Sequence, residues 1–314
     1  MAQFAFVFPG QGSQSIGMLQ NHSESHSLIR DTMDEASCVL DYNLWDVCSE
    51  GPLETLNSTE VTQVAMLAAD IALWRVWRDQ EGPMPTTMAG HSLGEYAALV
   101  ASGALAFIDA IRLVQRRGQL MQSAQKGADG AMAAIIGCDD DEVSALCDAT
   151  AEGQVLTPAN FNSPGQVVIA GESDAIDRAC SQAKAFGARL AKRLPVSVAA
   201  HCQLMAPAQS PFNTLLESVS FQAPTVPVIQ NVGLSAHQDP SAIKSALVQQ
   251  LVSPVPWVST IKLLSQSVSA FVECGPGKVL AGLCKRISPD SVTYVTNTSD
   301  SLHFALTQIQ QEGV

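Results

Sequence analysis

TMAGHSLGEYAALVASGAL, residues 87–105, is the stretch on which the reading of the fold turns. Its first four residues suit a short strand and EYAALVASGAL suits a helix. Between them stands Gly90-His91-Ser92-Leu93-Gly94, a G-x-S-x-G. A bend this tight from strand to helix needs glycine on either side of the serine, and it pushes the Ser92 hydroxyl out of the backbone. The helix that follows aims its free N–H groups and partial positive charge at the same point, where an oxyanion would develop. The bare five-residue pattern also fits a plain Gly-rich turn with no chemistry.

Outward from this bend, short apolar runs alternate with helical patterns, the signature of an α/β protein. Residues 4–8 read as a buried strand ended by Pro9-Gly10, and 61–78 as a helix that is mostly inside. Asp109 is expected to cap a second helix running to about residue 125. The segment from about 130 to 195 has its own rhythm: strand 131–137, helix 139–150, strands 154–161 and 166–171, a helix over 173–187 capped by Ser173, and a final strand over 188–196. That order, βαββαβ, is the split pattern of a ferredoxin-like subdomain whose two ends lie close together. The α/β pattern then resumes, with strands at 227–232, 269–275 and 291–297, helices at 241–251 and 257–265, and a C-terminal helix. The expected division is 1–128 and 197–314 for a large α/β subdomain and 129–196 for a small inserted one.

Hydrophobic residues make up 46% and charged residues 15% of the 314, enough apolar material for a sizeable core. The net charge of −13 argues against nucleic acid as a partner, since binding phosphates needs a basic excess. None of the eight cysteines forms a C-x-x-C pair, which suits reduced buried thiols better than disulfides or a zinc site. The start, MAQFAFVFPG, lacks the basic and apolar regions of a secretory signal, and no uncharged apolar run approaches the roughly 20 residues that span a bilayer. The expectation is a cytoplasmic protein with no membrane and no metal.

A serine alone is a weak nucleophile and needs a base. His22, His26, His237 and His303 sit in polar or terminal stretches and are expected to be solvated. His91 is locked beside the serine, so its ring is expected to point elsewhere and fill structural space. His201 is read as starting a helix after PVSVAA, where the chain returns from the insertion, and it is the candidate base. No acid is placed to complete a triad, so a backbone or amide carbonyl is the alternative holder of its ring. The loop Pro9-Gly10-Gln11-Gly12-Ser13-Gln14 fits either a second oxyanion donor or a plain turn. Of Arg116 and Arg117, at least one faces solvent. The other, if turned inward, has the planar fork that binds a carboxylate with two parallel bonds.

These pieces, in order, resemble the malonyl-CoA:acyl-carrier-protein transacylase family. The resemblance rests on FVFPGQGSQ, TEVTQVAML, GHSLGEYAALVASGAL, LVQRRGQLMQ, NFNSPGQVVIAG, LPVSVAAHCQLM, PVIQNV, QQLVSPVPW and ECGPGKVL, nearly the length of the chain. It implies a hydrolase-like parallel-sheet core around the ferredoxin-like insertion. It also implies Ser92 as nucleophile, His201 as base and Gln250 holding His201 through its main-chain carbonyl. Gln11 and Leu93 would supply the oxyanion N–H groups, and Arg117 rather than Arg116 would clamp a malonyl carboxylate. Gln63 and Asn231 would face the pocket, and Gly275-Pro276-Gly277 would shape it. Ala200 departs from many relatives, which carry a serine or an aromatic residue there. The implied substrate is a coenzyme A thioester with no tightly bound cofactor, and the implied partner is acyl carrier protein. Lys184, Arg189, Lys192, Arg193, Lys285 and Arg286 are the local cations available to dock an acidic carrier, although they equally fit a solvated strand edge. The alternatives are a serine esterase or thioesterase, and a non-catalytic carrier-binding scaffold.

Overall fold

Phe4–Phe8 (β1) is apolar at every position, and such a strand is stable only when layers cover both of its faces. In the computed structural model, which describes residues 3–127 and 129–312, β1 is the middle strand of a parallel sheet. It pairs with Thr87–Gly90 (β2) on one side and Ala270–Glu273 (β8) on the other, while Val228–Ile229 (β7) and Val292–Val295 (β9) complete the five strands. The period of two assigns each β1 residue to a layer. Phe4, Phe6 and Phe8 join the core that contains the helix Thr59–Asp79, whose Trp74 and Trp77 stand edge-on to Phe6 with ring centroids 5.2 and 5.0 Å away. Ala5 and Val7 join the opposite layer with Trp257, Ile261 and Phe271. Each buried aromatic contributes about 1.5–3 kcal/mol.

The segment after the helix Phe107–Gln125 forms a second sheet. Gly130–Ile136 (β3), Leu156–Ser163 (β4), Gln166–Glu172 (β5) and Leu190–Arg193 (β6) lie in the order β4-β5-β3-β6, every neighbouring pair antiparallel. This is the ferredoxin-like arrangement expected from the βαββαβ pattern. The helix Asp140–Thr150 is started by a capping box, with Asp139 accepting from the Glu142 N–H and Glu142 from the Asp139 N–H. A core of its own, including Ile135, Leu146, Ile169 and Ile176, sits beneath the sheet. Two backbone bonds tie β4 to the large sheet's side, from Val255 N–H to Ala159 O and from Phe161 N–H to Val255 O. Of the expected domain limits, residues 1, 128 and 314 lie outside the described residues.

Several local expectations are corrected. Asp109 lies in the first turn of Phe107–Gln125, not at its cap. Ala106 holds that place, and Asp109 instead lies beside Arg112 at 3.5 Å. Ser173 is the first residue of the helix Ser173–Gln182, not its cap, and its hydroxyl is taken by the Arg193 guanidinium. That helix gives way to a 3₁₀ turn at Ala183–Phe186. His201 does not start a helix. It sits at φ +63°, in the left-handed region, ahead of a short 3₁₀ turn at Gln203–Met205.

Candidate active site

Ser92 lies just beyond the C-terminal end of β2, where the chain turns into the helix Gly94–Ala101. Its φ is +51°, a conformation that costs a non-glycine residue of order 1–3 kcal/mol and persists only where neighbours enforce it. Two glycines make the bend possible. A Cβ at Gly90 would fall within the Gly94 backbone, and a Cβ at Gly94 would fall on the Phe8 carbonyl. The Asn231 side chain clasps the bend from both ends, accepting from the Ser92 N–H at 2.9 Å and donating to the Gly90 carbonyl at 2.7 Å. Asn231 was expected to face the pocket. It is instead buried beneath the bend, because both ends of its amide are committed there.

The Ser92 hydroxyl lies 2.7 Å from His201 Nε2. His201 Nδ1 lies 2.9 Å from the Gln250 carbonyl and 3.1 Å from that of Ser253. Carbonyls can only accept, so Nδ1 carries the proton and Nε2 keeps a lone pair toward the serine. Burial, with Arg117 nearby as the next cause, lowers the imidazole to about 3, so it is neutral at rest. Among the described residues no carboxylate bonds to the ring, in line with the expectation that a carbonyl holds it.

Arg117 points inward from Phe107–Gln125 and is 2% exposed, while Arg116 faces solvent beside Gln119. Its NH1 donates to Gln63 Oε1 at 2.7 Å, and its NH2 donates to Gln250 Oε1 at 3.0 Å and stands 3.4 Å from the Ser92 hydroxyl. The guanidinium lies 5.5 Å from the centre of the Tyr96 ring, and its Nε has no hydrogen-bond partner among the described residues. Serine, imidazole and guanidinium thus converge on one oxygen.

That oxygen opens into a cleft of about 190 Å³ between the two sheets. Gln11, Gln63 and Leu93 line it on the large side, with Met132, Val168 and Leu194 opposite. The backbone N–H groups of Gln11 and Leu93 have no hydrogen-bond partner among the described residues. Gly275 packs against Pro9, and Gly277 against Ser13, so the turn at 275–277 braces the Gln11 loop. His91 turns away from Ser92, with Nε2 2.8 Å from Asn162 Oδ1 and its ring edge-on to Trp257. His22 is not solvated as expected. It is fully buried, with Nε2 2.9 Å from the Thr296 carbonyl, and burial lowers it to about 4.

Sequence reasoning missed Glu95, which is 0% exposed two residues into the elbow helix. It accepts from the Asn231 N–H at 2.9 Å, from Gln250 Nε2 at 2.8 Å and from Gln230 Nε2 at 3.4 Å. Burial raises its carboxyl, while those three donors and Arg117 pull it back down. One signal was available, because Glu95 is the only charged residue in an otherwise apolar 94–105. The six candidate docking cations are all exposed, although Arg193 is bound to Asp177 at 2.9 Å and Arg286 to Gln166 at 2.6 Å.

The acyl transferase domain family matches residues 5–302. The malonyl CoA-acyl carrier protein transacylase of Salmonella typhimurium is 51% identical over 98% of this chain and 100% of its own. That of Bacillus subtilis is 39% identical, covering 100% of this chain and 99% of the relative. Among solved structures, the malonyl CoA-acyl carrier protein transacylase of Coxiella burnetii superposes with a TM-score of 0.96 at 47% identity, covering 98% of each chain. A malonyl-transacylase in complex with a type II polyketide-synthase acyl-carrier protein gives 0.96 at 48% identity, covering 98% of this chain and 100% of that one.

Proposed function

The chain belongs to the malonyl-CoA:acyl-carrier-protein transacylase family of acyl transferases, and from that premise we propose that Ser92 carries the malonyl group between two half-reactions. The enzyme moves malonyl from coenzyme A to acyl carrier protein in fatty-acid biosynthesis. In the first half, Ser92 Oγ attacks the thioester carbonyl as its proton passes to His201 Nε2. The Gln11 and Leu93 N–H groups hold the oxyanion, each donor contributing about 3 kcal/mol. The C–S bond breaks, the proton goes to the coenzyme A sulfur, and malonyl stays on Ser92. In the second half, the carrier's phosphopantetheine thiol attacks and the steps reverse.

Arg117 chooses the acyl group. A malonyl carboxylate meets its fork, whereas an acetyl group leaves a buried cation unmatched, at a cost of about 2–5 kcal/mol. The observation that carries this reading is the single hydroxyl shared by a base at 2.7 Å and a guanidinium at 3.4 Å. A hydrolase would have no use for that cation, and a scaffold no use for either group. The chemistry needs only these side chains and the thioester substrate, with no resident cofactor or metal. Residues 129–196 act as the inserted half of the cleft. A cytoplasmic site of action belongs to the same reading, supported by eight unpaired thiols. No helix among the described residues is long and apolar enough to cross a membrane. The carrier docks on the cations at Lys184, Arg189, Lys192, Arg193, Lys285 and Arg286, which give a −13 chain a positive face for an acidic partner.

Intact mass after mixing with malonyl-CoA tests the reading. Wild type gains one malonyl, Ser92→Ala gains none, and Arg117→Ala also accepts acetyl. Free malonate released without any thiol acceptor, at a rate that Arg117→Ala does not change, identifies a hydrolase instead. Reversing the docking charges slows transfer to the carrier and spares loading from coenzyme A. Equal slowing of both halves removes the docking face.

A further inference from the structure

A buried guanidinium that waits for a substrate carboxylate faces two opposite problems. With no counter-charge, its burial is costly. With a carboxylate of its own in contact, its fork is occupied and the substrate must displace a partner already in place. Among the described residues, no carboxylate lies within ion-pair distance of Arg117. Its guanidinium meets an amide oxygen, Gln250 Oε1, at 3.0 Å, and the nitrogen of that same amide meets Glu95 Oε2 at 2.8 Å. Cation, amide and carboxylate therefore form one line of two charge-assisted hydrogen bonds.

The line fixes the sense of the amide. Turned over, it would set Nε2 against a donor and Oε1 against an acceptor, so the two charges at its ends admit only one orientation. The correct orientation also lets Gln250 Nε2 donate to the Ser92 carbonyl at 3.1 Å. The main-chain carbonyl of Gln250 faces His201 at 2.9 Å. One residue thus touches the nucleophile's backbone, the base and the cation, and Glu95 holds its side chain. Glu95 itself is kept in place by the Asn231 N–H, whose own side chain clasps the bend.

We propose that Glu95 is a positioning residue for acyl selection: by fixing the Gln250 amide it keeps NH2 of the resting Arg117 guanidinium on a neutral amide oxygen, as Gln63 does for NH1, so that the substrate's carboxylate has no carboxylate of the protein to displace from the fork. This rests on the malonyl-transfer reading given above. Glu95 touches neither acyl group nor thiol, and it acts only through Gln250. With a neutral group at 95, the amide is free to turn over and present its NH₂ to Arg117. The fork is then displaced. A malonyl carboxylate loses its clamp, while an acetyl group, which never used the fork, loses little.

The test is a double-mutant cycle on the rates of loading from malonyl-CoA and acetyl-CoA, read as adduct formation on Ser92. Glu95→Gln lowers the malonyl-to-acetyl preference at least about tenfold in the presence of Arg117, and by less than about twofold in an Arg117→Gln background. If Glu95→Gln does not fold, Gln250→Met carries the same cycle, because it cuts the line while keeping Glu95. A preference that is unchanged or rises overturns the proposal. So does an equal fall in both backgrounds, which marks a purely structural role. The parent reading fails differently, by giving no malonyl adduct on wild-type Ser92 at all.

Discussion

Two acids are buried at the C-terminal edge of the same parallel sheet, on opposite sides of β1, one near a cation and the other near a second acid. On the β2 side, Glu95 accepts three hydrogen bonds and faces Arg117 through Gln250. On the β8 side, Asp70 of Thr59–Asp79 is 0% exposed, neither carboxyl oxygen has a hydrogen-bond partner among the described residues, and it feels Glu273 rather than a cation. Burial first, and then Glu273, push Asp70 well above the carboxylate range, so it keeps its proton to higher pH than a solvated carboxyl does. Glu273 accepts from the Leu280 and Ala281 N–H groups at 3.1 and 2.7 Å and is raised by burial to about 7. Burial is common to both sides. At Glu95 the donors and the nearby cation offset part of the rise that burial causes, and at Asp70 nothing does.

Breaking the Glu95 side has the largest effect. Glu95→Ala strands Gln250 Nε2, the Asn231 N–H and the Arg117 charge together, and it lowers unfolding free energy by about 3–5 kcal/mol in urea titration. Next comes the acid limb of malonyl loading. With His201 lowered to about 3, wild type keeps its rate as pH falls through 6.5, where an ordinary imidazole would be half protonated. Arg117→Gln removes a like charge and moves that limb upward, as a pH profile of single-turnover loading will record. The Asp70 side responds in the other sense. A raised carboxyl keeps its proton longer in the native state, so wild-type stability falls as pH climbs above about 4. Asp70→Asn has no such slope, so above about pH 4 it gains on wild type by about 1.4 kcal/mol for each pH unit over which the native carboxyl keeps its proton, measured by urea midpoints. The smallest effect belongs to a charge pair in water. Arg112→Ala, which breaks the exposed contact with Asp109, changes stability by less than about 0.5 kcal/mol.

Where structure depends on near neighbours, it was legible. The bend at Ser92 follows from Gly90 and Gly94, the helix at Asp140–Thr150 from its capping box, and the layering of β1 from a period of two. The βαββαβ order gave the antiparallel sheet, although not its strand order. Helix caps were less legible, because Asp109 and Ser173 were read as caps from composition when each lies one or more residues inside its helix. His22 looked like a surface residue among polar neighbours, yet the chain near Thr296, 274 positions away, buries it. Asn231 and Gln250 reached the candidate site only by resemblance, and their partners only by coordinates. Glu95 was in plain view directly after the motif but reads like any acid in a first helical turn.

By itself, then, the sequence determined that Ser92 must stand out from a strained bend, since a Cβ at Gly90 would meet the backbone of Gly94 only four residues on. Only the tertiary structure decided which groups there are charged, which proton His201 holds and which way the Gln250 amide points. Those depend on distances from side chains to side-chain and main-chain groups 25 to 158 positions away along the chain. Charge is governed by what the fold brings within a few ångströms, and no local pattern records that.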